Sequence, residues 1–251
     1  MKEARLYCSD KNEIDWQRQF TNLYNDVHMY FFDTGTLNFP VQEFVTAYEI
    51  KRAKRFYRES DSMNFLYGRG IVRLLLAKYK NTSYRQIIIN TGHNKKPYAC
   101  LNGGEEPLPI KFNLSHSANG LLLAFALTQV GCDIEYIATA LHNDVMENSF
   151  TNREAEIIIN SETPQKDFFK TWAKKEAVLK YNGAGLIDDL KQLQVCDDVN
   201  VITVPELQPQ RELFLTSFFI QEKFAAAFCY ESDALKDTRF FDGAEILPQI
   251  L

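Results

Sequence analysis

From Val27 to Tyr230 the hydrophobic pattern runs twice through one order: a strand, two helices, then three strands. In the first pass the apolar run Val27–Phe32 reads as a strand that stops at Asp33-Thr34-Gly35. Val41–Tyr57 and Ser62–Tyr79 have helical periodicity, and Ile87–Ile89 is a short strand. Thr91–Pro109, rich in Gly and Pro, is loop-like. Ile110–Leu114 and Leu121–Leu127 are strands joined through 115–120, where Asn119-Gly120 signals a hairpin. In the second pass Gly131–Ile137 is a strand, Asn143–Ile159 and Pro164–Tyr181 are helices, and Leu193–Cys196, Leu213–Ile220 and Phe224–Tyr230 are strands. The second of these helices is punctuated by Thr163 as cap, Pro164 in the first turn and Gly183 beyond the end. This order predicts a two-layer α+β fold made of two similar βααβββ halves with a junction near Thr128–Val130. The N-terminal half is 1–128, including an extension at 1–26, and the C-terminal half is 129–251. Residues 11–24 read as an amphipathic helix; neither the extension nor the tail Asp233–Leu251 carries a motif. Identity between the halves is negligible, so chance recurrence of a common order is the competing reading.

Several function classes are disfavoured before any site is considered. Lys+Arg 28 against Asp+Glu 33 leaves a net charge of −5, so no global field draws nucleic acid. The longest apolar run, Leu121–Leu127, is strand-sized and too short to span a membrane. The N-terminus lacks the apolar core of a signal peptide. Cys8, Cys100, Cys132, Cys196 and Cys229 are scattered without CxxC spacing, which suits a reduced cytoplasm.

Two short segments carry the chemistry. In the strand Gly131-Cys132-Asp133-Ile134-Glu135, Asp133 and Glu135 share a face, about 6.6 Å apart at the usual rise, while Cys132 and Ile134 face a core. Alone, this pair reads as the solvated face of an edge strand. On the helix 164–181, Trp172, Glu176 and Lys180 fall at i, i+4 and i+8 and form one stripe, seated by Phe168, Phe169 and Leu179. Lys174 and Lys175 are expected to point mostly to solvent. Alone, Glu176 and Lys180 read as a surface ion pair. Together the segments supply three carboxylates and a lysine, the equipment for holding Mg²⁺ against a pyrophosphate.

Gly131–Glu135 followed by Trp172–Lys180 resembles the paired signature of the 4′-phosphopantetheinyl transferases, G-x-D-x-E and W-x-x-K-E-x-x-x-K. The length and duplication resemble the Sfp-type branch, in which one chain forms a pseudo-dimer. The resemblance implies transfer of the 4′-phosphopantetheine arm of coenzyme A to a serine of an apo acyl or peptidyl carrier protein, the reaction of a holo-acyl-carrier-protein synthase. It implies Asp133, Glu135 and Glu176 as ligands of Mg²⁺, with Mn²⁺ as a substitute. Glu176, with Glu135 as rival, would accept the serine proton, and Lys180 would contact the pyrophosphate. Asn113–Ser117 resembles the family's N-x-S-H-S segment, which assigns Ser115 and His116 to a phosphate. Lys95-Lys96-Pro97 resembles its G-K-P loop, which assigns Lys96 to coenzyme A; Lys95 stands where glycine is usual. The basic run Lys51–Arg58 assigns Arg52 to the 3′-phosphate, although Glu49 and Asn64 depart from basic residues common there, and Arg69 and Arg73 are candidate substitutes. Glycine at Gly68 and Gly70 suits a close approach. Phe150 and Glu154 resemble the family's F-x-x-x-E region, and Val145, Met146 and Phe150 are candidates for a docking patch. The resemblance further implies a monomer in the cytoplasm, serving fatty-acid, polyketide or nonribosomal-peptide carriers. A non-catalytic relative that binds coenzyme A or a carrier is the alternative. A kinase is less suited, since no GxxxxGK[ST] loop is present.

Overall fold

The computed structural model describes residues 6–8, 15–92, 96–139, 143–183, 190–195, 201–204, 211–231 and 237–251. The chain passes through β1 (Leu6–Cys8), α1 (Trp16–Asn22), β2 (Asp26–Asp33), α2 (Ala47–Ala53), α3 (Glu59–Tyr79), β3 (Ile87–Thr91), β4 (Pro97–Leu101), β5 (Lys111–Ser117) and β6 (Gly120–Ala126). It continues through β7 (Val130–Tyr136), α4 (Asn143–Ser149), α5 (Asn152–Ile159), α6 (Pro164–Asn182), β8 (Val201–Val204), β9 (Arg211–Ile220) and β10 (Phe224–Glu231), and ends in β11 (Asp237–Asp242) and α7 (Gly243–Ile250). Two compact units result: Met1–Thr128 together with Lys236–Leu251, and Gln129–Leu235.

The first unit holds a five-stranded sheet in the order β1-β11-β2-β6-β5 and a separate β3-β4 hairpin. α3 contributes Ile71, Leu74 and Leu75 to a core with Tyr30, Phe32, Leu123 and Phe125. The second unit is a four-stranded sheet, β7-β10-β9-β8, with α6 lying on β7 and β10. Both units repeat one pattern. β2 pairs antiparallel with β6, which pairs antiparallel with β5; β7, β10 and β9 stand in the same relation.

The tail, expected with the second half 129–251, belongs to the first unit. β11 lies parallel between β1 and β2, and Phe241 stacks on Tyr30 with ring centres 4.6 Å apart. A strand finds its place by long-range pairing, which local periodicity does not encode.

Two expected helices are broken, for one reason. Val41–Tyr57 becomes a 3-10 turn at Val41–Phe44, an extended Val45, and α2. Thr46 starts α2 in a capping box: its side chain accepts from Glu49 N–H, and the Glu49 carboxylate accepts from Thr46 N–H. Asn143–Ile159 divides into α4 and α5, with Thr151 and Glu154 forming the same box. Thr163 makes no capping bond to α6, whereas Gly183 ends that helix in the left-handed region at φ 73. Thr91–Pro109, expected as loop, contains β4, which Pro97 opens at a position where no ladder donor is needed. Ser115–Ser117 belong to β5, so only Ala118 and Asn119 join the hairpin. Leu193–Val195 are not a strand, and Cys196 and Lys95 lie outside the described residues. No helix among the described residues is long and apolar enough to cross a membrane.

Candidate functional site

On α6, from Thr171 to Lys180, every residue is buried except Trp172, Glu176 and Lys180. The expected stripe is therefore the one accessible line on that stretch. It lies against β7 because Gly131 has no side chain: a Cβ there would sit 2.1 Å from Ala177 O and 2.5 Å from Tyr181 N. Residues 131, 133 and 135 share that face of the strand. Their partners on β10 are small: Asp133 stands opposite Ala227 and Glu135 opposite Ala225.

Asp133 is 2% exposed. Lys180 Nζ donates to its Oδ1 at 2.6 Å, with 31% of the lysine side chain still exposed. Trp172 Nε1–H donates to Glu135 Oε1 at 3.2 Å. Burial first, and the Asp133 charge second, push the Glu176 carboxyl above its usual range, against the pull of Lys180. Burial draws the Lys180 ammonium down, but Asp133, with help from Cys132 and Glu176, outweighs it and holds the lysine above its usual value. Asp133, Glu176 and Lys180 are thus electrically coupled, and Glu135 is tied to the same helix.

Asp133 and Glu176 are coupled to Lys180, and Glu135 shares the Asp133 face of β7; by donor type, these hard carboxylate oxygens suit Mg²⁺. Among the described residues, however, no three histidine, cysteine or carboxylate side chains are arranged to hold a metal ion. In this arrangement Asp133 Oδ1 is engaged by Lys180 and Glu135 Oε1 by Trp172.

Lys175 and Lys174, expected in solvent, are buried; Lys175 is 0% exposed. Lys175 Nζ meets Glu154 Oε2 at 2.9 Å and donates to Leu190 O at 2.9 Å and Leu193 O at 2.5 Å. Glu154 Oε1 in turn accepts from Val195 N–H at 2.9 Å. Phe150 and Met146 are also buried, so of the three docking candidates Val145 alone is partly accessible.

The nucleotide-end candidates belong to the first unit. Arg52 on α2 and Arg69 on α3 both lie over the Phe65 ring, 5.1 and 5.4 Å from its centre. Burial pulls the Arg69 pKa down, and Arg52 and Arg73 add to that against Glu49. A cleft of about 350 Å³ opens beside them, lined by Tyr48, Lys51, Arg52, Arg55 and Phe56. Arg73 is no substitute for a lost phosphate ligand: it is buried, ion-paired to Glu49 at 3.0 Å, and donates to Ile87 O and Phe44 O. Asn64 is likewise committed, accepting from Thr34 Oγ1 and donating to Ala118 O. Gly70 does serve a close approach, since a Cβ there would lie 2.9 Å from Val41 Cγ2.

Ser115 and His116 both lie within β5, where consecutive side chains take opposite faces; Ser115 is buried and His116 half-buried. Lys96, half-buried, precedes β4. The two capping boxes are legible in the sequence as Thr-x-x-Glu at 46–49 and 151–154, but the buried ion pairs that their glutamates make are not.

The second unit coincides with a match to the 4′-phosphopantetheinyl transferase superfamily over residues 129–229, and residues 39–127 match the 4′-phosphopantetheinyl transferase N-terminal family. The chain is 36% identical over 151 residues to the 4′-phosphopantetheinyl transferase HetI of Nostoc sp., covering 59% of this chain and 62% of that protein. It is 27% identical over 146 residues to the 4′-phosphopantetheinyl transferase Sfp of Bacillus subtilis, covering 57% and 62%. With the human L-aminoadipate-semialdehyde dehydrogenase-phosphopantetheinyl transferase it shares 27% over 177 residues, covering 66% and 57%. In each case the match spans less than two thirds of the relative's length.

Proposed function

The chain belongs to the 4′-phosphopantetheinyl transferase superfamily, and from that premise we propose that it transfers the 4′-phosphopantetheine arm of coenzyme A to a serine hydroxyl of an apo acyl or peptidyl carrier protein. The observation that carries this reading is the accessible stripe of α6 between Thr171 and Lys180, Trp172-Glu176-Lys180, set against Asp133 and Glu135 of β7.

The serine oxygen attacks the β-phosphorus of the pyrophosphate. A new P–O bond forms, the bridging P–O bond breaks, and adenosine 3′,5′-bisphosphate leaves. Glu176 accepts the serine proton; its raised pKa makes it a stronger base than an ordinary carboxylate. Glu135 is the rival base. Lys180 offers a point charge to the phosphates. Asp133, Glu135 and Glu176 are the residues that would hold Mg²⁺, or Mn²⁺ in its place. Such an ion, when bound, offsets charge on the pyrophosphate. Lys96, Ser115, His116, Arg52 and Arg69 are assigned to coenzyme A. The scattered cysteines suit a reduced cytoplasm, and family membership suits a monomer.

Incubation with coenzyme A, Mg²⁺ and a broad panel of apo carriers, followed by mass spectrometry, tests this. A phosphopantetheine-sized mass gain is expected on at least one carrier; none across the panel sinks the assignment. Asp133→Ala, Glu135→Ala and Glu176→Ala should each abolish transfer in folded protein, and a fully active variant removes that residue from the site. The non-catalytic alternative rests on the departures at Lys95, Glu49 and Asn64, of which Lys95 lies outside the described residues. Glu49 and Asn64 have internal roles, so their departure from a basic pattern is no sign of lost catalysis.

A further inference from the structure

Glu135 stands where β7 leaves the interior. Asp133 is buried, Glu135 half-buried, and Tyr136 next to it is exposed. A carboxylate at such a place is drawn outward by water. Trp172 opposes that pull: its indole N–H reaches Glu135 Oε1 at 3.2 Å. The indole is backed by the buried ring of Phe150, 6.3 Å away centre to centre. It also lies one helical turn before Glu176 on the same face of α6.

We infer that Trp172 is a positioning residue for Glu135, which it holds through the indole N–H on the face of β7 that Glu135 shares with Asp133. The inference rests on the metal-dependent reading of this site. The residue type matters. An indole is a neutral donor with no acceptor. A lysine or arginine at this place would neutralise Glu135 and compete with a divalent cation for it. The indole orients the carboxylate and leaves its charge intact.

Trp172→Phe keeps an aromatic ring on the Phe150 side and removes the N–H together with the pyrrole part of the indole. Mn²⁺ binding to the whole protein, read by electron paramagnetic resonance without substrate, should weaken about tenfold, within the range seen when a group orienting a metal ligand is lost. The Mg²⁺ concentration for half-maximal transfer should rise in parallel, and the deficit in rate should shrink as Mg²⁺ is raised. In a Glu135→Gln background, Trp172→Phe should cause no further loss of Mn²⁺ affinity. A merely structural tryptophan would lower the rate at every Mg²⁺ concentration. Unchanged Mn²⁺ affinity in Trp172→Phe, or a loss that adds in full to that of Glu135→Gln, overturns the inference, as does a wild-type protein that binds no Mn²⁺. A wild type that binds Mn²⁺ with the expected Trp172 dependence but modifies no carrier supports the tether and overturns the proposed transfer.

Discussion

His28 is sealed inside the first unit, its Nδ1 2.6 Å from Tyr79 Oη, and Tyr79 Oη bonds in turn with Tyr30 Oη. Burial, with Arg239 adding to it, moves the His28 pKa from 6.5 to about 3. Below pH 6.5 the unfolded chain binds a proton that the folded chain refuses. The stability is therefore complete above that pH and falls as pH drops towards 3. A shift of this size is worth at most about 5 kcal/mol. We expect the urea midpoint of wild type to fall between pH 7 and pH 4, and that of His28→Gln to fall less; equal slopes would remove His28 from the acid response. Lys175 presents the opposite case, a charge carried into the core and matched there. Lys175→Met leaves Glu154 buried without its cation and should cost about 3–5 kcal/mol in chemical denaturation. Adding Glu154→Gln should restore part of that loss, since a neutral amide no longer needs the cation.

At the scale of elements, the seat of α6 on β7 sets the site. Ala177 O and Tyr181 N are backbone atoms and cannot swing aside for a methyl group at residue 131. Gly131→Ala should force the helix outward, at about 1–3 kcal/mol of stability, and separate Lys180 from Asp133. Transfer should then fall far more than the change in thermal midpoint explains; a variant with wild-type activity would show that the contact yields. The capping boxes make a second element-scale device. In each unit a threonine and a glutamate start a short helix, and the glutamate pairs with a buried cation on the next long helix: Glu49 with Arg73, Glu154 with Lys175. That cation also binds backbone carbonyls of the segment after the helix. The correspondence gives the duplication a physical basis that identity between the halves does not.

At the scale of the whole molecule, the first unit's sheet closes only with the last residues of the chain. β11 is interior to that sheet, and Arg239 Nε pairs with Asp26. Deleting 237–251 should strip hydrogen-exchange protection from β2 and β6 while β9 and β10 of the second unit keep theirs; protection retained in β2 would show that the tail is dispensable. The two units differ in what they carry. The strand–helix pair of the second has Asp133, Glu135, Glu176 and Lys180, whereas β2 of the first is apolar and aromatic through Met29, Tyr30, Phe31 and Phe32. One topology, used twice, supports a proposed reaction centre in one unit and a packed core with a basic cleft in the other.

The sequence by itself determined the Asp133-x-Glu135 strand, the Trp172-Glu176-Lys180 stripe and the repeated order of elements. Periods of two and of 3.6 residues fix which side chains share a face, and that information is local. The breaks at Thr46 and Thr151 were local too, legible as capping boxes but hidden by long apolar periodicity. Tertiary structure alone decided that Lys175 and Arg73 lie inside, that Ser115 and His116 lie within β5, and that the tail completes the first sheet. The partners that settle those outcomes come from remote segments, as far apart as Asp26 and Arg239, 213 positions along the chain. A lysine in an amphipathic helix reads as solvated until a distant carboxylate and carbonyls are brought to it; burying its charge is then favourable only because all of them arrive together.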